Sequence, residues 1–320
     1  GCIAIGHNSL NSTGTNGHAG TIAIGYNSLT ACTSGSANTA VGYGSMDALT
    51  TGSNNTGLGD RSLSGTDDGA GNTAVGAFAM ETGNAGDSNT ALGCQSLVDV
   101  TGSHNVGVGF QTLFDITSGG SNIAIGSTSM KAMAGGESDN IAIGVDSMQL
   151  MDEDSRTIDK NIAIGTAALK GGDLNGTSVD YTNNIAIGYH VMDGTGVRGG
   201  SDNIAIGNDA LGGTWAGISS NNIAIGVYCM DAAMNGANDN VAIGKSTLTA
   251  LTTGDQSVVI GNGAGAALTD GSNHVIIGYL AGDAIEHADS DGTVAIGKSA
   301  LGALTDGAMN TAVGYLALDA

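Results

Sequence analysis

Proline is absent from this 320-residue chain, aromatic residues make up 3% of it, and only 8 residues are basic. Each shortage excludes something. Without proline, and without glycine at every third place, the chain is not a collagen triple helix. With so few aromatics there is little bulk to fill one round core. With 8 basic residues against 30 acidic ones, net charge −22, the surface repels phosphate backbones and anionic lipid, so neither nucleic acid nor a membrane is an expected partner. Charged residues total 12%, about half of the roughly 25% usual in globular proteins. The four cysteines, Cys2, Cys32, Cys94 and Cys229, have neither metal nor redox spacing. No apolar run reaches the ~18 residues of a membrane helix, and no basic-then-apolar segment opens the chain. Disorder is also excluded, because 41% of residues are hydrophobic and the mean hydropathy is +0.10.

What the chain has is glycine, 56 of them, and a phrase that recurs eighteen times, from CIAIG at 2–6 to NTAVG at 310–314. Eight of the seventeen spacings are 17 residues and the rest run from 16 to 23. Counting from the closing glycine of each phrase as position 0, position −3 is always Ile, Val or Thr and position −1 always Ile, Val or Leu. Position −2 is Ala in fourteen phrases and Gly in two, position −4 is Asn in thirteen, and position +4 is Leu or Met in sixteen, the exceptions being Gly265 and Gly282. A polar link follows, rich in Gly, Ser, Asn, Thr and Asp.

β-Branched residues at alternate positions predict a strand with one buried face, and a glycine after it predicts a sharp corner. One such unit cannot bury its own apolar side, whereas a stack can. The expected fold is all-β: a parallel β-solenoid, or β-roll, of about 18 coils, forming one repeat domain over 1–320 that is a fragment of a longer chain. At ~4.8 Å per coil, seventeen steps give a rod of roughly 80 Å. The recurring Asn is expected to stack as an amide ladder. The Ile ladder, Ile125, Ile143 and Ile164 among it, is expected to form the core. Strand alternation then sends Ala124, Ala142, Ala163, Ala186, Ala205 and Ala224 to the opposite face. Nothing charged stands there, so these alanines are expected to line a seam against another chain of a homotrimer.

The phrase N-[IVT]-A-[IVL]-G-x-x-[SA]-[LM], seen as NTAVGYGSM at 38–46 and NTAVGYLAL at 310–318, resembles the head repeat of trimeric autotransporter adhesins. It is similar also to repeats of bacteriophage tail-fibre proteins, which often carry a C-terminal chaperone of the endosialidase type. The resemblance covers essentially the whole chain and implies a parallel homotrimeric fibre outside the cell. That fibre is a virion tail-fibre shaft carrying host attachment or, alternatively, a bacterial adhesin head, and its partners are itself and a host-surface glycan or receptor. The coils here, mostly 17 residues or longer, exceed the adhesin coil, and the excess falls in the links.

Catalytic residues are not expected. Ser, His and Asp occur without an elbow motif or paired spacing, so a glycan-degrading fibre ranks behind a structural one. No cofactor is expected. Calcium at acidic links such as Asp67-Asp68, Glu137-Ser138-Asp139, Asp152-Glu153-Asp154 and Asp289-Ser290-Asp291 is the one metal reading, and the calcium nonapeptide pattern is missing. Thr39, Thr56, Thr73 and Thr90 form a ladder without the second Thr of an ice-binding face, and read as a partly wet inner position. The aromatic residues at +1, such as Tyr26, Tyr43 and Tyr279, read as packing at a chain boundary. Between Gly144 and Gly226 the links are longest and hold Arg156, Lys160, Lys170, Tyr181, Arg198 and Trp215. Cations and aromatics on enlarged solenoid links suit sugar recognition, and these six are the candidate receptor contacts.

Overall fold

The computed structural model describes residues 1–11, 18–133, 135–149, 157–171, 180–194 and 199–319. The fold is all-β, a parallel β-solenoid of about 18 coils. The chain divides into two compact units, Gly1–Ser155 and Arg156–Ala320. The first carries nine three-residue strands, from Ile3–Ile5 through Thr39–Val41, Thr90–Leu92 and Ile123–Ile125 to Ile141–Ile143. The second carries nine more, from Ile162–Ile164 to Thr311–Val313. It also holds a two-residue parallel pair, Ile158–Asp159 with Tyr181–Thr182, and a 3-10 turn at Ala288–Ser290. Within each unit, each of these strands pairs with the equivalent strand of the next coil without slippage: Ile22 lies on Thr39, Ala23 on Ala40 and Ile24 on Val41.

The corners explain the phrase. Gly42 has φ +142°, and a Cβ added there would run into the Gly59 carbonyl oxygen of the coil below. Only glycine serves at position 0 for both reasons. Two residues later and again four residues later the backbone is left-handed, as at Asn27 (φ 54°) and Leu29 (φ 55°). The segment around +4 is therefore a turn, not a second strand. A left-handed Leu or Met costs about 1–2 kcal/mol, offset because Leu29, Met46, Leu63 and Met80 are fully buried.

Which strand face is buried is the reverse of the expectation. Ala124, Ala142, Ala163, Ala186, Ala205 and Ala224 are completely buried within the single chain. Ile125 and Ile164 are 38% and 36% exposed, and Ile143 is half-buried. The alanines thus line the inside of their own coil rather than a seam, and the isoleucines point out. Space decides it. Where glycine replaces alanine, a Cβ at Gly57 would already meet Ser45 Oγ at 2.8 Å and Met46 Cε at 3.1 Å. A coil of 17 residues encloses one thin layer, Ala against Leu or Met, and has no room for Ile opposite Leu.

The two exceptions to the repeat confirm the pairing. In the coils of Gly261 and Gly278, position −2 is Val259 and Ile276, both buried, and position +4 is Gly265 and Gly282. A Cβ at Gly265 would lie 3.4 Å from Val259 Cγ1, and one at Gly282 would lie 3.3 Å from Ile276 Cδ1. Volume lost at one position is supplied by the other.

Two side-chain ladders close the polar side. In the first unit Asn38 Oδ1 accepts the Asn55 backbone N–H (2.9 Å), Asn55 Oδ1 accepts that of Asn72 (2.8 Å), and this continues to Asn122 Oδ1 and the Asn140 N–H (3.0 Å). In the second unit the same ladder runs from Asn161 Oδ1 and the Asn184 N–H (3.0 Å) to Asn240 Oδ1 and the Ser257 N–H (3.0 Å). Each amide NH2 also donates to a link carbonyl, as Asn55 Nδ2 does to Gly69 O (2.8 Å). These asparagines are fully buried and satisfied. At position −6 a second ladder runs the other way, the later coil accepting from the earlier: Ser201 N–H donates to Ser220 Oγ (3.1 Å) and Asp255 N–H to Ser272 Oγ (3.0 Å). Replacing Asn122 by Ala strips a partner from the Asn140 N–H and from the Glu137 carbonyl. We expect a loss of about 2–4 kcal/mol, readable as a lower urea midpoint. An unchanged midpoint would show that the ladder is ornamental.

The ladder breaks at His274, which is fully buried in the asparagine position with no hydrogen-bond partner for either ring nitrogen. Burial pushes its pKa below the usual imidazole value, against the opposing pull of Asp291. The folded chain therefore holds it neutral, while the unfolded chain takes up a proton once pH falls below about 6.5. Stability contributed here is present above that pH and lost as pH falls toward the folded value. His274→Asn should raise Tm and flatten its decline between pH 7 and 5. Parallel Tm–pH curves for the two chains would disprove the assignment.

Candidate interaction surfaces

Two outward columns run along each unit, at positions −3 and −1. Of their 36 residues, 31 are Ile, Val or Leu and five are Thr, and none is charged, although the chain has 38 charged residues. Ile3, Ile5, Leu58, Leu92, Ile125, Ile164, Val258 and Val313 are all more than a third exposed. A soluble monomer seldom leaves so continuous an apolar strip uncovered. Beside it, position +1 carries half-exposed rings. His7, Tyr26 and Tyr43 stack at 5.0 and 5.3 Å with nearly parallel planes, and Lys298 Nζ sits between Tyr279 and Tyr315 at 5.7 and 5.6 Å. The +1 aromatics border the apolar columns, and stacked rings expose edges rather than faces. Thr39, Thr56, Thr73 and Thr90 lie in the outward −3 column, not at a wet inner position.

The enlarged links do not gather the six expected contact residues. Trp215 is 2% exposed, with Nε1–H donating to the Leu211 carbonyl at 3.3 Å. Tyr181 is fully buried, its backbone paired with Ile158 and its ring filling the space above Gly199. Neither can meet a receptor. A longer link here carries a larger side chain inward, because the hydrophobic effect outweighs any gain from leaving a ring in water. Tyr181, near the end of one enlarged link, is thereby part of the core. Lys160 is exposed and Lys170 half-buried. Arg156 and Arg198 lie outside the described residues.

Tertiary structure also assembles groups that the linear order scatters. Cys32 Sγ lies 3.4 Å from His18 Nδ1, and Cys2 donates to the His18 carbonyl at 2.6 Å. Burial raises the Cys32 thiol and pushes Cys229 up to about 12, so both are inert thiols. Asp193, Asp209 and Asp231 approach one another, and His190 Nδ1 contacts Asp193 Oδ2 at 2.5 Å. Burial, then Asp209 and Asp193, raise Asp231 to about 6. Among the described residues no group of three His, Cys, Asp or Glu side chains could hold a metal ion, and Asp152, Glu153 and Asp154 lie outside them. No helix is long and apolar enough to cross a membrane. No family model, curated protein or solved structure matches this chain.

Proposed function

We propose that this chain is a structural segment of an extracellular attachment fibre, the shaft of a bacteriophage tail fibre, assembled as a parallel homotrimer and acting without catalysis or cofactor. The observation that carries the reading is the pair of outward columns without a single charge. On a chain of net charge −22, selection for solubility would place charge on any strand face that meets water. A face kept apolar over so many coils suits burial against further copies. In-line backbone hydrogen bonds between successive coils of each unit, and the two side-chain ladders, suit an element that carries tension along its length. The repeat phrase fits a bacterial adhesin head equally, and host-surface glycan is the partner either way, with Lys160 the exposed cation on an enlarged link.

Light scattering tests the assembly. A species near three times 31.1 kDa, about 93 kDa, supports the fibre. A stable, folded species of 31.1 kDa would overturn it. Pull-down of labelled chain on bacterial cells tests attachment, and turnover of a host polysaccharide would replace the structural reading with an enzymatic one.

A further inference from the structure

The outward columns raise a question of alignment. Equivalent rungs repeat every ~4.8 Å, and along most of the face each rung offers the same Ile or Val. Two copies sliding by one or two rungs would bury nearly the same area. The first unit breaks this monotony once. Position −3 is Ile in the first two coils, Thr in the next four (Thr39, Thr56, Thr73, Thr90), then Val106, Ile123 and Ile141. These four threonines are stacked in direct register and half-buried. Among the described residues their hydroxyls find no partner within the chain, unlike those of Thr33, Thr50, Thr101 and Thr252, which bond to the neighbouring coil.

We propose that Thr39, Thr56, Thr73 and Thr90 form a register key on a self-association face, and that its occupant is a second copy of this chain lying parallel with Thr block on Thr block. The inference rests on the self-assembly reading above and adds what sets the alignment. Area supports a second copy as occupant. Nine rungs span about 38 Å. With each three-residue strand about 10 Å long, the first unit offers roughly 400 Å², half of the ~800 Å² that one partner gives to a standard interface. The second unit carries nine further rungs of the same kind. Chemistry supports the key. In register, each hydroxyl meets another hydroxyl, directly or through water, as cross-strand Thr pairs do. A slip of one rung leaves a Thr of each copy against Val or Ile with its hydroxyl unpaired, and a slip of two rungs leaves two, each costing free energy in a dry interface.

Disulfide mapping tests this in the whole chain. Cys2 and Cys94, the exposed free cysteines, are first changed to Ser. Thr39→Cys and Thr90→Cys chains, distinguished by a mass tag, are mixed, assembled and oxidised with copper–phenanthroline. They stand three rungs apart, about 14 Å, beyond the ~7 Å limit of Cα separation for a disulfide. The proposal expects like-to-like links to exceed mixed links at least tenfold. It also expects that replacing all four threonines by Val keeps the assembled mass but removes the alignment. In that chain, mixed links between Val106→Cys and Ile141→Cys reporters, rare with the threonines present, should rise at least fivefold. If assembly persists and the Val chain stays as sharply aligned as the parent, the key is refuted while the self-assembly reading stands. A mass of 31.1 kDa for the parent would instead remove the assembly on which both rest.

Discussion

Ala163→Arg should unfold at least its own coil and those beside it, with a loss of about 4 kcal/mol or more. Ala163 is fully buried inside its coil, in the column where Gly57 shows that contact begins at the Cβ. A guanidinium there has no carboxylate to meet and no path to water, and an unpaired buried charge belongs to the most damaging class of substitution. The milder Ala163→Ile tests the geometry more sharply. Alone it should cost about 1–3 kcal/mol through overpacking. Combined with Leu169→Gly, which empties the facing +4 position, it should recover much of the stability that Leu169→Gly loses by itself. This reproduces by design the natural pairs Val259 with Gly265 and Ile276 with Gly282. Urea denaturation of the two single variants and the double variant completes the cycle. Strict additivity would mean that the two positions do not face each other.

Ile125→Asp should leave the coil folded and abolish assembly. Ile125 is 38% exposed on the outward column, so the new carboxylate keeps its water in an isolated chain, and the change in stability should stay below about 1 kcal/mol. In an assembly the same carboxylate is repeated in every copy at one level, desolvated among apolar neighbours and close to its own kind. Light scattering should therefore fall to the single-chain mass of 31.1 kDa while circular dichroism stays that of the parent. A chain that loses its strand signal would return Ile125 to the core. A multimer that survives would move the interface elsewhere.

The strand orientation is the instructive error. Bulky β-branched residues alternating with alanine point to an Ile core by ordinary burial preference, and that preference fails when the enclosed space is one side chain thick. The corrective signal is present in the sequence. The two coils that lack Leu or Met at +4 are the same two that carry Val or Ile at −2, and such exchange has meaning only between positions in contact. The −6 ladder was also legible, because Ser, Asp or Asn recurs there, though it is masked by similar composition throughout the links. Trp215 and Tyr181 misled for a different reason. A lone aromatic in a long link is the same string whether the link folds in or out, and the nearby void decides.

The parallel β-solenoid and its repeat, the corner glycine, and the asparagine ladder followed from the sequence alone. They are local or strictly periodic, and eighteen copies average away the noise of any single coil. Which face of a three-residue strand turns inward depended on the cross-section of the closed coil, a volume that no window of sequence contains. The meeting of His18 with Cys32, and of Asp193, Asp209 and Asp231, depended on stacking residues from successive turns. Only tertiary structure decided these, because contact between coils is set by how each link closes, and links of 7 to 14 residues close differently at each level.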